Sequence, residues 1–220
     1  MEKMLKKAVV FDFDGTLTDS MSVENHCMVK AMQSVGCFSV SEEELPNYYG
    51  PTERGIIKAV VPPDRLGEAW ANCLNIYRET SKNLKPYPGI EEILRLLNSN
   101  GVKVFLVTGR SKETLDISLE NMDLTGYFLK TYSGSDSGTN KEESLMTLIH
   151  DFSLSKEETI YIGDTLDDIR MMGNIGVDII SAGYSHTEEY RRQLEIKNPG
   201  LVVDSLRSLK TLLMKITGSH

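Results

Sequence analysis

Two aspartates stand one residue apart at the end of an apolar run, in the segment FDFDGTLTDS at residues 11–20. If that run is a strand, Asp12 and Asp14 point to the same face near its carboxyl end. At an effective dielectric constant near 20, two such charges about 4 Å apart repel each other by roughly 4 kcal/mol. The pair therefore requires either a divalent cation or a retained proton, and a protonated Asp14 could act as a general acid.

A second acidic cluster follows another apolar run, in the segment YIGDTLDDIR at residues 161–170. It contains Asp164, Asp167 and Asp168, directly after Gly163. Oxygen ligands of this kind favour magnesium over zinc, and carboxylate-bound magnesium commonly carries a substrate phosphate as well. Acidic residues at the start of a helix also cap its free amides and interact favourably with its dipole. The cluster therefore has both a metal-binding and a helix-capping interpretation.

Two further polar side chains stand where an element begins or ends. Thr108 closes the apolar run of VTGR, and Ser111 could cap the next helix, so this turn offers a hydroxyl and free amides to an anion. Lys141, in GTNKEES, opens another helix, where the positive end of the dipole makes a cation unfavourable. That placement indicates a function for Lys141, although a simple turn and a solvated lysine would explain the same residues.

Apolar runs that could form strands alternate with helical patterns along most of the chain. The strand candidates are residues 8–13, 102–107, 159–162, 177–180 and 201–203, with a weaker one at 128–132. Helical spacing lies between them, for example at Ile90, Ile93, Leu94 and Leu97. This alternation predicts an α/β fold with a Rossmann-like, doubly wound parallel sheet, which brings the strand-end polar residues to one edge.

The stretch from residue 20 to residue 85 interrupts this alternation. It has no convincing strand pattern but shows helical spacing, including a stripe that we interpret as packing, formed by Leu66, Trp70, Cys73 and Tyr77. The proline- and glycine-rich segment KPYPG at residues 85–89 marks its second junction. We predict a helical cap at residues 20–85, inserted into an α/β core formed by residues 1–19 and 86–220.

Composition excludes several classes of partner. The formal net charge is −8 and there is no long basic stripe, which argues against a nucleic-acid polymer. No segment approaches the roughly 20 apolar residues of a membrane helix, and Asp12 interrupts the first apolar run too early for a secretory signal. Cys27, Cys37 and Cys73 lack the spacings of a zinc or redox site, so we expect reduced cysteines in a cytoplasmic protein.

Together, these segments arrange DxD, a threonine, a lysine and GDxxxD in this order along the chain. In this arrangement the sequence resembles the haloacid dehalogenase-like hydrolase superfamily, in particular its phosphoglycolate phosphatase-like branch with a helical cap. The resemblance spans residues 9–168, and DFDGTLTDS followed by GDTLDD is its most specific part. It implies a magnesium-dependent phosphatase that hydrolyses a small phosphorylated metabolite through an aspartyl-phosphate intermediate.

The resemblance also implies a role for each catalytic position. Asp12 would be the nucleophile that attacks phosphorus, and Asp14 would protonate the leaving oxygen and then activate water. Thr108, the amide of Gly109 and Lys141 would hold the oxygens of the transferring phosphoryl group.

By the same resemblance, Mg²⁺ would be bound by Asp12, the backbone carbonyl of Asp14 and Asp164, with Asp168 orienting its ligands or waters. Asp167 is additional to the family pattern and could simply be solvated. The lysine segment departs from the common form of the family, in which a proline often follows the lysine, because Glu142 occupies that position here.

The cap is the region expected to set substrate choice, because it follows the first motif directly and could close over the site. The segment YYGPTERG at residues 48–55 resembles a glycine-proline stretch in caps of the same branch. Arg54 is the candidate for contacting a substrate anion, with a solvated Arg54 and a buried turn at Gly50 and Pro51 as the alternatives.

Several other functions share some of these residues. A phosphosugar mutase would use every core residue but pass the phosphoryl group to a sugar instead of water. A dehalogenase would not need Asp14, since a carbon–halogen bond requires no acid on oxygen. A receiver domain or another non-enzymatic phospho-aspartate protein is disfavoured, because here DxD ends the first strand and a cap follows it.

Overall fold

A parallel sheet forms the centre of the molecule. The computed structural model describes residues 5–49, 52–136 and 141–219. The strands are β1 (Ala8–Phe11), β2 (Lys103–Val107), β3 (Lys130–Tyr132), β4 (Thr159–Gly163), β5 (Asp178–Ala182) and β6 (Val202–Val203). Their order across the sheet is β3-β2-β1-β4-β5-β6, and every neighbouring pair is parallel. This is the doubly wound order, which confirms the predicted fold class.

The central strand β1 ends two residues before its predicted boundary at Phe13. All four of its residues are buried between β2 and β4. The chain then turns at Gly15, whose φ of 69° lies in the left-handed region that favours glycine. Before the turn, Asp12 still donates its amide to the carbonyl of Ile162 at 2.8 Å. This bond holds Asp12 at the carboxyl edge of the sheet.

Nine helices lie within the described residues. They are α1 (Met21–Ser34), α2 (Glu53–Val60), α3 (Leu66–Thr80), α4 (Ile90–Ser99), α5 (Lys112–Asn121), α6 (Lys141–Asp151), α7 (Leu166–Ile175), α8 (Glu188–Lys197) and α9 (Leu206–Thr217). Among the helices in this part of the chain, none combines the length and apolar character needed to cross a membrane.

Helices cover both faces of the sheet, and side chains of β1 alternate between two apolar clusters. Val9 and Phe11 belong to one cluster, whereas Ala8 and Val10 belong to the other. A strand that is buried on both faces consists of consecutive apolar residues, which is why AVVF could be predicted as a strand from the sequence.

Helices α1, α2 and α3 pack on one another, and α3 also contacts α5. On α3, Trp70, Cys73 and Tyr77 are buried and Leu66 is partly buried, which confirms that this stripe serves packing. Tyr77 does more than pack, because its hydroxyl lies 2.7 Å from the hydroxyl of Ser118 on α5.

The two chain segments that lead into and out of the predicted cap lie side by side. Thr18 pairs with Pro86 in an isolated antiparallel bridge, and its hydroxyl donates to the carbonyl of Lys85 at 2.8 Å. The amide of Tyr87 donates to the carbonyl of Leu17, also at 2.8 Å. This arrangement is compatible with the predicted boundaries near residues 19 and 86, which stay a prediction.

Candidate active site

The carboxyl ends of β1, β2 and β4 meet at one cavity of about 530 Å³. Asp12 follows β1, Thr108 follows β2 and Asp164 follows β4, and all three line this cavity. Doubly wound sheets place their sites at this edge, next to the strand where the order reverses. The strand ends therefore converge as the sequence predicted.

Three buried carboxylates form the centre of the site. Asp12, Asp164 and Asp168 each offer an oxygen atom within 4.8 Å of the others. Lys141 lies against two of them, with its Nζ 2.8 Å from Asp12 Oδ2 and 2.9 Å from Asp168 Oδ1. The lysine brings one positive charge to a cluster that carries up to three negative charges.

The charges of this cluster shift one another's pKa values. Burial raises the pKa of Asp12 to about 7, even though the nearby Lys141 ammonium acts in the opposite direction. Burial alone would lower the pKa of Lys141, but the Asp12 and Asp168 carboxylates raise it well above its ordinary value. Lys141 is thus held in its charged form by the carboxylates that it contacts.

Asp168 caps α7, as one interpretation of the GDxxxD segment predicted, and also faces the carboxylate cluster, where its role in metal binding stays a prediction. Its Oδ2 accepts the amide of Thr165 at 3.1 Å, and its own amide donates to the Thr165 hydroxyl at 3.0 Å, which forms a capping box at the start of α7. Its Oδ1 accepts from Lys141 in the site. Burial would raise the pKa of Asp168, but Lys141 and Thr165 outweigh it and the pKa is lowered. By contrast, Asp167 is exposed and pairs with Arg170.

Asp164 has the environment of a metal ligand. Its Oδ2 lies 2.8 Å from Nε2 of His186, whereas its Oδ1 is buried and has no hydrogen-bond partner among the described residues. A Cβ on Gly15 would lie only 2.1 Å from Asp164 Oδ2, so the DxDGT turn approaches this carboxylate as closely as glycine permits. A buried, partly unsatisfied carboxylate beside Asp12 and Asp168 fits a hard cation such as Mg²⁺.

The side chain of Asp14 points away from that carboxylate cluster. It accepts a hydrogen bond from the Ser20 hydroxyl, and its Oδ1 lies 3.4 Å from NH1 of Arg110. Asp14 lines the cavity and its side chain is 19% exposed. Any contribution of Asp14 to the metal site would therefore come from its backbone, as the family resemblance implies.

Comparison with models of known protein families shows to which family this chain is related. The sequence model of the haloacid dehalogenase-like hydrolases matches residues 9–182. The chain belongs to this family. The prediction that it is a hydrolase is thereby confirmed.

Two relatives match most of this chain at modest identity. The phosphoglycolate phosphatase of Nitrosococcus oceani is 29% identical over 226 residues, covering 96% of this chain and 98% of the relative. Phosphoglycolate phosphatase 1 of Pseudomonas aeruginosa is 26% identical over 218 residues, covering 93% of this chain and 79% of the relative.

Solved structures share the fold of this haloacid dehalogenase-like hydrolase. CbbY from Rhodobacter sphaeroides, in complex with phosphate, matches with a TM-score of 0.75 and 16% identity, covering 94% of this chain and 96% of that one. A haloacid dehalogenase-like family hydrolase from Streptococcus pneumoniae matches with a TM-score of 0.72 and 20% identity, over 96% and 99% of the two chains.

The remaining predicted site residues of this hydrolase fall into two groups. Thr108 and Gly109 line the cavity beside Asp12 and Lys141, and the Thr108 side chain is buried. Arg54 is not among the lining residues of the cavity, because its guanidinium pairs with Asp136. Gly50 and Pro51, predicted to form a buried turn, lie outside the described residues.

Sequence reasoning missed Arg110 and the two glutamates of α1 and α2 that contact it. Arg110 is buried, with NH2 2.8 Å from Glu24 Oε1 on α1 and Nε 3.4 Å from Glu53 Oε1 on α2. Glu53 also accepts the amide of Ser111 at 2.6 Å and the hydroxyl of Thr114. The arginine was visible as the last letter of VTGR, but nothing local indicates that two carboxylates from distant helices surround it.

Proposed function

We propose that this protein is a magnesium-dependent phosphatase that hydrolyses a small phosphate monoester through an aspartyl-phosphate intermediate on Asp12. The observation that carries the proposal is the position of Asp12, which lies at a cavity between Lys141 and the Asp164 and Asp168 carboxylates. The names of the relatives, which are phosphoglycolate phosphatases, support the same class of reaction.

In the first step, a carboxylate oxygen of Asp12 would attack phosphorus while the bond from phosphorus to the leaving oxygen breaks. Asp14 would donate its proton to that leaving oxygen, which departs as an alcohol. In the second step Asp14 would take a proton from water, the water oxygen would attack phosphorus, and the bond to Asp12 would break to release phosphate. Ser20 and Arg110 hold the Asp14 carboxylate in place for both proton transfers.

The other site residues would bind and orient the phosphoryl group. Lys141, the Thr108 hydroxyl and the Gly109 amide would contact its oxygens, which carry most of the charge in the transition state. Asp12, Asp164 and the backbone of Asp14 would hold a magnesium ion that supplies further positive charge near the phosphoryl group.

Hydrolysis is favoured over the phosphosugar mutase reaction by the charges around the cavity. A mutase transfers the phosphoryl group to a sugar that already bears a phosphate, so it must bind a bisphosphate and needs a second cationic subsite. Within residues 20–49 and 52–85, the lining side chains of the cavity include no lysine, arginine or histidine. Gly50 and Pro51 carry no charge either.

The substrate would be a small phosphorylated metabolite, and the protein would act in the cytoplasm. Residues 20–85 would act as a cap over the core of residues 1–19 and 86–220. Arg54, which belongs to the cap, pairs with Asp136 and would have to break this ion pair before it could contact a substrate anion. The three cysteines are unpaired, which suits a reducing compartment.

The test is phosphate release from a panel of phosphate monoesters, measured with Mg²⁺ and with EDTA. We expect release that requires Mg²⁺ and falls by at least about 10³-fold in Asp12→Asn, because the amide is not a nucleophile. Asp116→Asn, which removes an exposed carboxylate on α5, is the matched control and should keep full activity. Sugar-phosphate isomerisation with little release of phosphate would instead establish the mutase reaction.

A further inference from the structure

The cap side of the cavity differs in charge from the side that would bind the phosphoryl group. Its lining residues from residues 20–49 and 52–85 are two buried carboxylates, four apolar or aromatic side chains and one hydroxyl, namely Glu24, Glu53, Met21, Met28, Ile56, Tyr49 and Thr52. We infer that the leaving alcohol of the substrate carries no anionic group. This inference rests on the proposed phosphatase function and narrows its substrate class.

The cations that line the cavity are already engaged. On the core side, Lys141 contacts Asp12 and Asp168, and Nε2 of His186 lies 2.8 Å from Asp164 Oδ2. The Arg110 guanidinium contacts three carboxyl groups, those of Asp14, Glu24 and Glu53. Because Nε, NH1 and NH2 each already have a carboxyl partner, the Arg110 guanidinium is not free to bind a substrate anion.

Two further features keep Arg110 away from an incoming ligand. Its side chain is only 1% exposed, and its NH2 donates to the Tyr77 hydroxyl at 2.7 Å. The guanidinium also stacks near the rings of Phe13 and Tyr77, with its Cζ 4.9 Å and 5.2 Å from their centroids. An anion could recruit this arginine only by displacing a carboxylate from a buried network.

Arg54, which follows the lining residue Glu53, is also engaged in an ion pair outside the cavity. Its guanidinium pairs with Asp136, and the Thr52 hydroxyl donates to the same carboxylate at 3.1 Å. Turning Arg54 into the cavity would leave Asp136 without its ionic partner. A carboxylate or second phosphate on the leaving group would therefore meet, among the described residues, no free cation beside Glu24 and Glu53, and an anion that leaves water without gaining a counter-charge binds poorly.

The favoured substrate is thus a phosphate ester of an uncharged alcohol, whose carbon atoms contact Met21, Met28 and Ile56. An alcohol that bears an ammonium group is compatible with the two carboxylates as well. Phosphoglycolate, in which a carboxylate lies one carbon from the ester oxygen, is the unfavourable case, although the relatives are named for it.

The test compares kcat/KM for three esters of nearly equal size: 2-hydroxyethyl phosphate, phosphoethanolamine and phosphoglycolate. We expect 2-hydroxyethyl phosphate to exceed phosphoglycolate by roughly tenfold or more, with phosphoethanolamine also ahead of phosphoglycolate. Equal or faster turnover of phosphoglycolate would overturn the inference and leave the phosphatase function intact. Release of phosphate from none of the three, nor from p-nitrophenyl phosphate, would refute the phosphatase function itself.

A matched pair of variants tests whether charge is the cause. Met21 lines the cavity and is half-buried, so a long polar side chain can be placed there without disturbing the core. Met21→Lys should raise the kcat/KM ratio of phosphoglycolate to 2-hydroxyethyl phosphate by about tenfold over Met21→Gln, which has a similar size and no charge. An equal ratio in the two variants would show that charge does not govern the choice.

Discussion

Lys141 Nζ lies 2.8 Å from Asp12 Oδ2 and 2.9 Å from Asp168 Oδ1, so a single ammonium group joins the residue after β1 to the first turn of α7. All three side chains are at most 10% exposed. The lysine is therefore both the counter-ion of two buried carboxylates and, in our proposal, a ligand of the phosphoryl group.

Replacing Lys141 by methionine should reduce kcat by at least about 10²-fold, because a cation that stabilises the transferring phosphoryl group is lost. Removing one partner of a buried ion pair should also lower the free energy of unfolding by roughly 3 kcal/mol. In urea unfolding, the double variant Asp12→Asn/Lys141→Met should be clearly more stable than Lys141→Met. The added Asp12→Asn substitution removes the Asp12 carboxylate, which Lys141→Met leaves without its cation. A double variant no more stable than Lys141→Met would contradict this account.

Replacing Arg110 by methionine should destabilise the protein by roughly 3–5 kcal/mol, because Asp14, Glu24 and Glu53 would be left together without their cation. Urea unfolding checks the loss. Arg95→Met, which removes an exposed arginine paired with Glu91 on α4, is the control and should change stability by less than about 1 kcal/mol. Equal stability of the two variants would refute the role of Arg110 as the counter-ion of this network.

Replacing Gly15 by alanine should weaken Mg²⁺ binding by roughly 10–100-fold, because the new Cβ would collide with Asp164 Oδ2 at 2.1 Å. Gly36→Ala is a matched control: Gly36 also has a positive φ, of 87°, but no atom lies within 4 Å of its added Cβ. Both variants should lose about 1 kcal/mol of stability from backbone strain, and Gly15→Ala should lose roughly 1–3 kcal/mol more from the collision. In calorimetric titration with Mg²⁺, Gly15→Ala should bind the ion more weakly than Gly36→Ala. Similar Mg²⁺ affinities of the two variants would argue against Asp164 as a metal ligand.

Thiol labelling of the native protein should be fast at Cys37 and slow at Cys27 and Cys73. Burial raises the pKa of both the Cys27 and the Cys73 thiols, so little reactive thiolate forms at pH 8, and reagent access is blocked as well. Raising the pH should speed labelling of these two sites, because the thiolate fraction grows about tenfold per pH unit below the pKa. Mass spectrometry after iodoacetamide treatment checks this, and labelling of Cys73 as fast as Cys37 would contradict it.

The central carboxylates could be found from the sequence because their positions depend on local rules. A short apolar run such as AVVF, followed by polar residues and alternating with helical patterns, favours a buried strand, and the residue after such a strand emerges at the sheet edge. Parallel connection then brings the ends of β1, β2 and β4 together, which is why the sequence predicts that Asp12, Thr108 and Asp164 lie at one edge.

Two details of the site depended on the way distant segments meet. Spacing left open whether the GDxxxD carboxylates cap a helix or bind a metal, and it gave no sign that Asp168 contacts Lys141; in the structure one oxygen of Asp168 caps α7 and the other accepts from Lys141. Arg54 is a cation in the predicted cap and was therefore a candidate for contacting an anion. In the structure, however, it forms an ion pair with Asp136, which lies 82 residues away in the sequence.

By itself, the sequence determined the doubly wound fold and the edge of the sheet that carries the carboxylates, because strand burial and residue alternation are local properties of the chain. The tertiary structure alone decided the pairing of charges. Arg110 lies in the turn after β2, whereas Glu24 lies on α1 and Glu53 on α2, and only packing brings the three within ion-pair distance. The charges on the side of the cavity formed by α1 and α2 follow from that packing.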